Sequence, residues 1–209
     1  MRDNFDEVLA DPAVDVVNIS GPNQVHTPQG IAAAQAGKHI LVEKPMALTR
    51  DENRALRDAV ARAGVKSVVS FVLRWNPLVE TLRSLLSAGA IGELLDIEVD
   101  YWHGIGTWYS GWEWAHTVKT GGSATLLAGC HALDALRFLS GREVVEVSAM
   151  SNNKKNLYEF DANVVATMKL DDGTIAKSSV LLDAVIPYTF NVDQAAVALM
   201  TAAIHNEIA

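Results

Sequence analysis

Three groups of side chains in this sequence have types and spacings that can do chemistry. The first is Glu43-Lys44-Pro45. An ammonium at the end of a strand can hold positive charge where an alkoxide develops; it can equally be a solvated surface charge. The proline that follows fixes the local backbone and admits a cis bond before it. A hydroxyl, an amide and an imidazole stand nearby in Ser20-Gly21-Pro22-Asn23-Gln24-Val25-His26. His26, at the start of a helix, is also read as a surface or capping residue. The second group centres on His131, in LLAGCHALDALRFL. Imidazole titrates near neutrality and serves as a general base, yet a histidine on an apolar helix face is as readily a satisfied core group. Leu127 and Ala135 occupy the positions four residues away, so no carboxylate lies there. Asp134, three residues on, can orient the ring or bond a neighbouring loop. The third group is aromatic: Trp102, Trp108, Tyr109, Trp112 and Trp114. It suits a carbohydrate platform, a subunit contact or a packed loop. A metal site is set aside, because His103, His116 and His131 are thirteen and fifteen residues apart, unlike the short ligand pairs of zinc sites.

Composition bounds these readings. The 209 residues are 49% hydrophobic and 20% charged, which builds a core rather than a disordered chain. A formal net charge of −8 offers no basic footprint to nucleic acid or an anionic membrane. One cysteine excludes an internal disulfide and fits a reducing compartment. No apolar run reaches the roughly 18 residues of a membrane helix, and MRDNFDEVLADP is no secretory signal. A soluble cytoplasmic protein is expected.

The elements that must position the candidates alternate in the first third. Asn4 to Ala10 reads as a short helix and Val14 to Ser20 as a strand ending in a Gly-Pro-Asn turn. Thr27 and Pro28 read as N-cap and N1 of a helix stopping at Gly37. His39 to Glu43 is a second strand, and Thr49 to Glu52 a capping box for a helix ending before Gly64. Lys66 to Val72 is a third strand. Such alternation predicts a parallel sheet, half of a doubly wound fold. After Arg74 the pattern changes. Asn76-Pro77 opens a helix, and LLDIEVDYW alternates apolar with acidic, predicting a sheet with one wet face, usually antiparallel. A helix is expected from about Ser123 to Leu139, closing at Gly141. Strands follow at 144–151 and 164–170, then Asp171-Asp172-Gly173 turns into a strand at 174–182. The fold class is α/β: a partial Rossmann domain over 1–74, then an α+β domain with a mainly antiparallel sheet over 75–209.

The run VDVVNISGPNQVHTPQGIAAAQAGKHILVEKPMALT resembles the middle of the nucleotide-binding domain of the Gfo/Idh/MocA oxidoreductases. Pro22-Asn23, His26, Gly37-Lys38-His39 and Glu43-Lys44-Pro45 carry the likeness. Gly121-Gly122, Gly129, His131 and Asp134 are similar to the family's second motif, and Pro187-Tyr188-Thr189-Phe190 to a later strand. The resemblance covers about residues 5 to 192.

The resemblance implies hydride transfer between NAD or NADP and a sugar or polyol. Lys44 would bond the reacting hydroxyl, and His131 would take its proton. Ser20, Pro22, Asn23, His26, Glu43, Lys44, Pro45 and Arg74 would border the cofactor; Lys44, Trp108 and His131 would meet the substrate. It also implies a homo-oligomer joined through the sheet domain. Many members carry an Asp where this chain has Leu127, and no GxGxxG turn precedes the first strand. The chain reads as cut at both ends, so weak cofactor binding and impaired activity are expected. The alternative is a non-catalytic binding or oligomerisation remnant. A parallel sheet without its first strands exposes an unpaired edge. Guanidinium unfolding of the purified chain is expected to show low stability or dependence on association; a cooperative, monomeric, highly stable transition would contradict this.

Overall fold

The computed structural model describes residues 4–185. The strand expected at Pro187-Tyr188-Thr189-Phe190 and the tail from residue 193 lie outside the described residues. Two compact units are present. The first holds the described residues up to Ser70 together with Glu113–Gly122; the second holds Phe71–Trp112 and the described residues from Ser123 onward.

In the first unit the short helix Phe5–Ala10 (α1) is capped by Asn4, whose side chain accepts from the Asp6 N–H at 3.0 Å. Strands Val16–Ile19 (β1), His39–Glu43 (β2) and Ser67–Ser70 (β3) form a parallel sheet in the order β1-β2-β3. Parallel neighbours require crossovers, supplied here by helices Asn23–Gln35 (α2) and Arg50–Ala63 (α3). Thr49 and Glu52 cap α3 reciprocally, and Gly64 closes it at φ 66°. Val17, Ile19, Ile40 and Val42 from the sheet meet Ala33, Ala34 and Ala59 from the helices in one core. Gly30 lets α2 and α3 approach, since a Cβ there would lie 2.8 Å from Leu56 Cδ1. One expectation fails: α2 starts at Asn23, not after Thr27, and Pro28 sits inside it. Side-chain bonds from His26 and Thr27 to a neighbouring loop hold the first turn, offsetting the helical N–H that Pro28 lacks.

In the second unit a 3-10 turn, Val72–Trp75, precedes helix Pro77–Ser87 (α4), which Asn76 caps. Strands Asp96–Glu98 (β4) and Tyr101–Trp102 (β5) come next. A π-helical turn over Thr125–Gly129 continues as helix Cys130–Ser140 (α5), closed by Gly141 at φ 66°. Strands Val144–Asn152 (β6), Asn163–Leu170 (β7) and Ile175–Leu181 (β8) complete a sheet ordered β4-β8-β7-β6, with β5 also on β8. The pairs β6·β7 and β7·β8 are antiparallel. Contrary to expectation, β4 and β5 run parallel to β8. Alternation reports that one face is wetter than the other; it does not report the direction of the neighbour. The core joins Val79 of α4, Ala132, Ala135, Leu136 and Leu139 of α5, and Ile97, Met168, Leu170 and Ala176 of the sheet. Gly129 seats the π turn against β8: a Cβ there would meet Val180 Cγ2 at 2.4 Å.

Two of the three acidic positions of the alternating segment, Glu98 and Asp100, have side-chain partners. Glu98 is ion-paired with Lys177, and Asp100 Oδ1 accepts from both the N–H and the hydroxyl of Ser179 at 2.6 Å. Partial burial nevertheless pushes the Asp100 carboxyl above its ordinary value of 3.8, against those bonds and with help from the charge of Glu98. A raised folded-state value means the native state binds this proton more tightly than the unfolded chain. That stability is complete below the ordinary value and lost as pH rises through the folded one. Asp100→Asn keeps an acceptor oxygen without the charge. Its stability relative to the parent, read by urea unfolding across pH, is therefore expected to improve from acid toward neutrality; a gap that narrows with rising pH would contradict this.

Candidate functional site

In the first unit, polar loops follow the carboxyl ends of β1 and β2, where ligands of open α/β sheets bind. His26 organises them. Its side chain is 1% exposed, with Nδ1 2.7 Å from Pro45 O and Nε2 2.8 Å from Gly21 O. Both carbonyls are acceptors only, so a neutral ring donates to one and the imidazolium to both. Thr27 adds a hydroxyl bond to Met46 O at 3.4 Å. Two successive residues of α2 thus grip the loop after β2, with the Lys44–Pro45 bond cis. Lys44 is half-buried and Pro45 buried; the Lys44 N–H donates to Glu43 Oε2 at 3.3 Å.

Ser20 is exposed and Pro22 half-buried at the end of β1. Asn23 is buried, and its Nδ2 donates to Gly121 O at 3.3 Å, tying the 113–122 segment to α2. Gly121 is required there, because a Cβ would lie 2.1 Å from Ala115 O. The structure therefore brings Ser20, Pro22, Asn23, His26, Glu43, Lys44 and Pro45 together in one unit.

Arg74, Trp108 and His131 stand on the second unit. His131, 6% exposed, lies in the first turn of α5. Its ring stacks on Tyr101, with centroids 5.6 Å apart and planes at 15°, and meets the edge of Phe71 at 6.2 Å. Tyr101 in turn stacks on His103, at 5.8 Å and 6°. Asp134 bonds Arg74 of the Val72–Trp75 turn, the second of the two readings weighed for it in the sequence. Its Oδ2 and Oδ1 accept from Arg74 Nε and a terminal nitrogen of the same guanidinium, at 2.8 and 2.5 Å. That bidentate pair raises the Arg74 pKa further above its ordinary value. Arg74 also lies over the Phe71 and Phe138 rings, at 5.7 and 5.1 Å. Trp102 donates from Nε1 to Ser179 Oγ at 2.6 Å, and Trp112 packs on Tyr158 at 5.0 Å, whereas Trp108 is 63% exposed. No linear pattern announces the Arg74–Asp134 pair or the Tyr101 stack; both join residues far apart in the chain.

A half-wound parallel unit with polar strand ends, followed by a mixed sheet packed against the helix that bears His131, is the architecture of a partial Rossmann domain followed by an α+β domain. Residues 1–71 match the oxidoreductase family with an NAD-binding Rossmann fold, and residues 79–203 the Gfo/Idh/MocA C-terminal domain. The chain belongs to the Gfo/Idh/MocA family. It is 31% identical to levoglucosan dehydrogenase of Pseudarthrobacter phenanthrenivorans, over 79% of this chain and 44% of that protein. It is 34% identical to scyllo-inositol 2-dehydrogenase (NAD(+)) of Bacillus subtilis, over 68% of this chain and 40% of that protein. A solved levoglucosan dehydrogenase in complex with NADH and levoglucosan superposes with a TM-score of 0.81 at 29% identity, covering 88% of this chain and 52% of that one. The chain spans about half the length of the relatives it matches. Among the described residues no helix is long and apolar enough to cross a membrane.

The Arg74–Asp134 pair generates a prediction. Asp134→Ala is expected to destabilise the chain by about 1–2 kcal/mol, the worth of a charge-assisted bond with one half-exposed partner. Urea unfolding measures it, and an unchanged midpoint would contradict it.

Proposed function

We propose that the protein carrying these residues transfers hydride between NAD or NADP and the hydroxyl-bearing carbon of a sugar or cyclic polyol. The observation that carries this reading is the placement of Lys44. It follows the central strand of a parallel sheet, on a loop whose next two carbonyls are held by His26 and Thr27. The residues fit the nicotinamide end of the cofactor: Ser20, Pro22, Asn23, Glu43 and Pro45 border it, with Lys44 among them, and Arg74 contributes from the second unit. His26 serves by holding two of those loops together. When bound, the nicotinamide supplies the two-electron chemistry.

The chain's own residues handle the proton and the charge. The Lys44 ammonium donates to the reacting oxygen and favours the alkoxide as it develops. His131 accepts the hydroxyl proton as general base. Its ring is oriented by stacking on Tyr101 and edge contact with Phe71 rather than by a carboxylate in the preceding turn, where Leu127 is buried. Trp108 meets the substrate. Relatives named for levoglucosan and scyllo-inositol support the substrate class. Self-association through the open sheet is part of the proposal, supported by the exposed Val145, Val147 and Met150 on β6.

The Leu127 position favours a second reading, a binding protein without catalysis. One experiment separates the two. The purified chain is assayed for nicotinamide reduction with levoglucosan and scyllo-inositol, alongside Lys44→Met and His131→Asn. Each substitution is expected to lower kcat by about 10²–10⁴. Rates unchanged by both, or no reduction at any attainable NAD or NADP concentration, would favour the second reading.

A further inference from the structure

We propose that a cavity of about 360 Å³ in the second unit, lined by Arg83 and Glu93, binds a free α-amino acid with an aliphatic side chain. The cavity lies where α4 and α5 end. His131 stands at the other end of α5, so this site is separate from it, and the inference does not rest on the proposed reaction. The volume falls in the range of roughly 300–1,000 Å³ that accommodates small-molecule ligands.

Arg83 is the residue that points to a ligand. The second unit holds four arginines. Arg74, Arg137 and Arg142 pair with Asp134, Glu143 and Asp172. Arg83 has no carboxylate partner among the described residues; its guanidinium lies over the Phe138 ring, 4.2 Å from the centroid. Stacking occupies one face of the guanidinium and holds its plane in place. The N–H donors point outward in that plane, in a fork that matches a carboxylate. Arg142 adds positive charge to the wall, but its Nε already meets Asp172 Oδ2 at 2.9 Å.

The same cavity carries an unmet negative charge. Glu93 is exposed, and its carboxylate has neither a hydrogen bond nor an ion pair among the described residues, Arg83 included. The carboxyl ends of α4 and α5 add partial negative charge. A phosphate or a dicarboxylate would be repelled by these groups. A ligand that suits both sides brings a carboxylate to Arg83 and an ammonium to Glu93 and the helix ends. Leu86, Leu94 and Phe138 supply apolar surface for a side chain. A carboxylate, an ammonium and an apolar branch on one small frame make an aliphatic α-amino acid.

The test titrates the whole chain, without cofactor, with L-leucine by calorimetry. Saturable binding in the micromolar to millimolar range is expected. 4-Methylpentanoate lacks the ammonium and isoamylamine lacks the carboxylate; each should bind at least about tenfold more weakly. Arg83→Met and Glu93→Gln, both at exposed positions, should each weaken L-leucine binding by about tenfold or more at unchanged Tm. Inorganic phosphate should not compete. The proposal would be overturned by absence of saturable binding, by full affinity in either variant, or by displacement with phosphate. Binding of 4-methylpentanoate or isoamylamine as tight as that of L-leucine would overturn it as well, since one charge would then suffice.

Discussion

Both nitrogens of the buried His26 imidazole face backbone carbonyls from two different loops, so the ring donates to one of them when neutral and to both when protonated. This constraint shapes the first unit. It ties Gly21 after β1 to Pro45 after β2 and places the first turn of α2 between them. Loops at strand ends otherwise carry backbone groups that only water satisfies. Here a side chain that is 1% exposed closes the gap, and Lys44 inherits a defined backbone.

The second unit solves a related problem with other means. α5 carries an imidazole at 6% exposure, with Leu127 rather than a carboxylate in the preceding turn. Gly129 brings the π turn hard against Val180 of β8. Arg74 holds Asp134 with two bonds, so the helix is fastened three residues beyond His131. Tyr101 then lies face to face with the ring, held by β5 in register with Val180. Helix and strand are both anchored before the histidine is oriented.

Much of this was legible in the sequence because it is local. Thr49 and Glu52, Asn76-Pro77, Gly64 and Gly141 mark helix ends by chemistry confined to one turn, and each marks an end that the structure contains. The Glu43-Lys44-Pro45 string lies where a short apolar run of strand length runs out. What was illegible depends on distant partners. The start of α2 follows from side-chain bonds nineteen residues away, not from Pro28. Period-2 alternation in Leu95–Tyr101 identifies two faces, but β8, which sets the strand direction, comes some eighty residues later. Asp134 has the spacing of a partner for His131, and Arg74, sixty residues upstream, claims it.

The account turns on Lys44 and His131 acting on one oxygen. Kinetics of Lys44→Met, His131→Asn and the double variant test this most directly. Groups that serve a single step fail together, so the double variant should lose no more kcat/KM than about the worse single. A double variant whose loss equals the product of the two single losses would mean that the two residues act independently, and the shared chemistry assigned to them would be wrong.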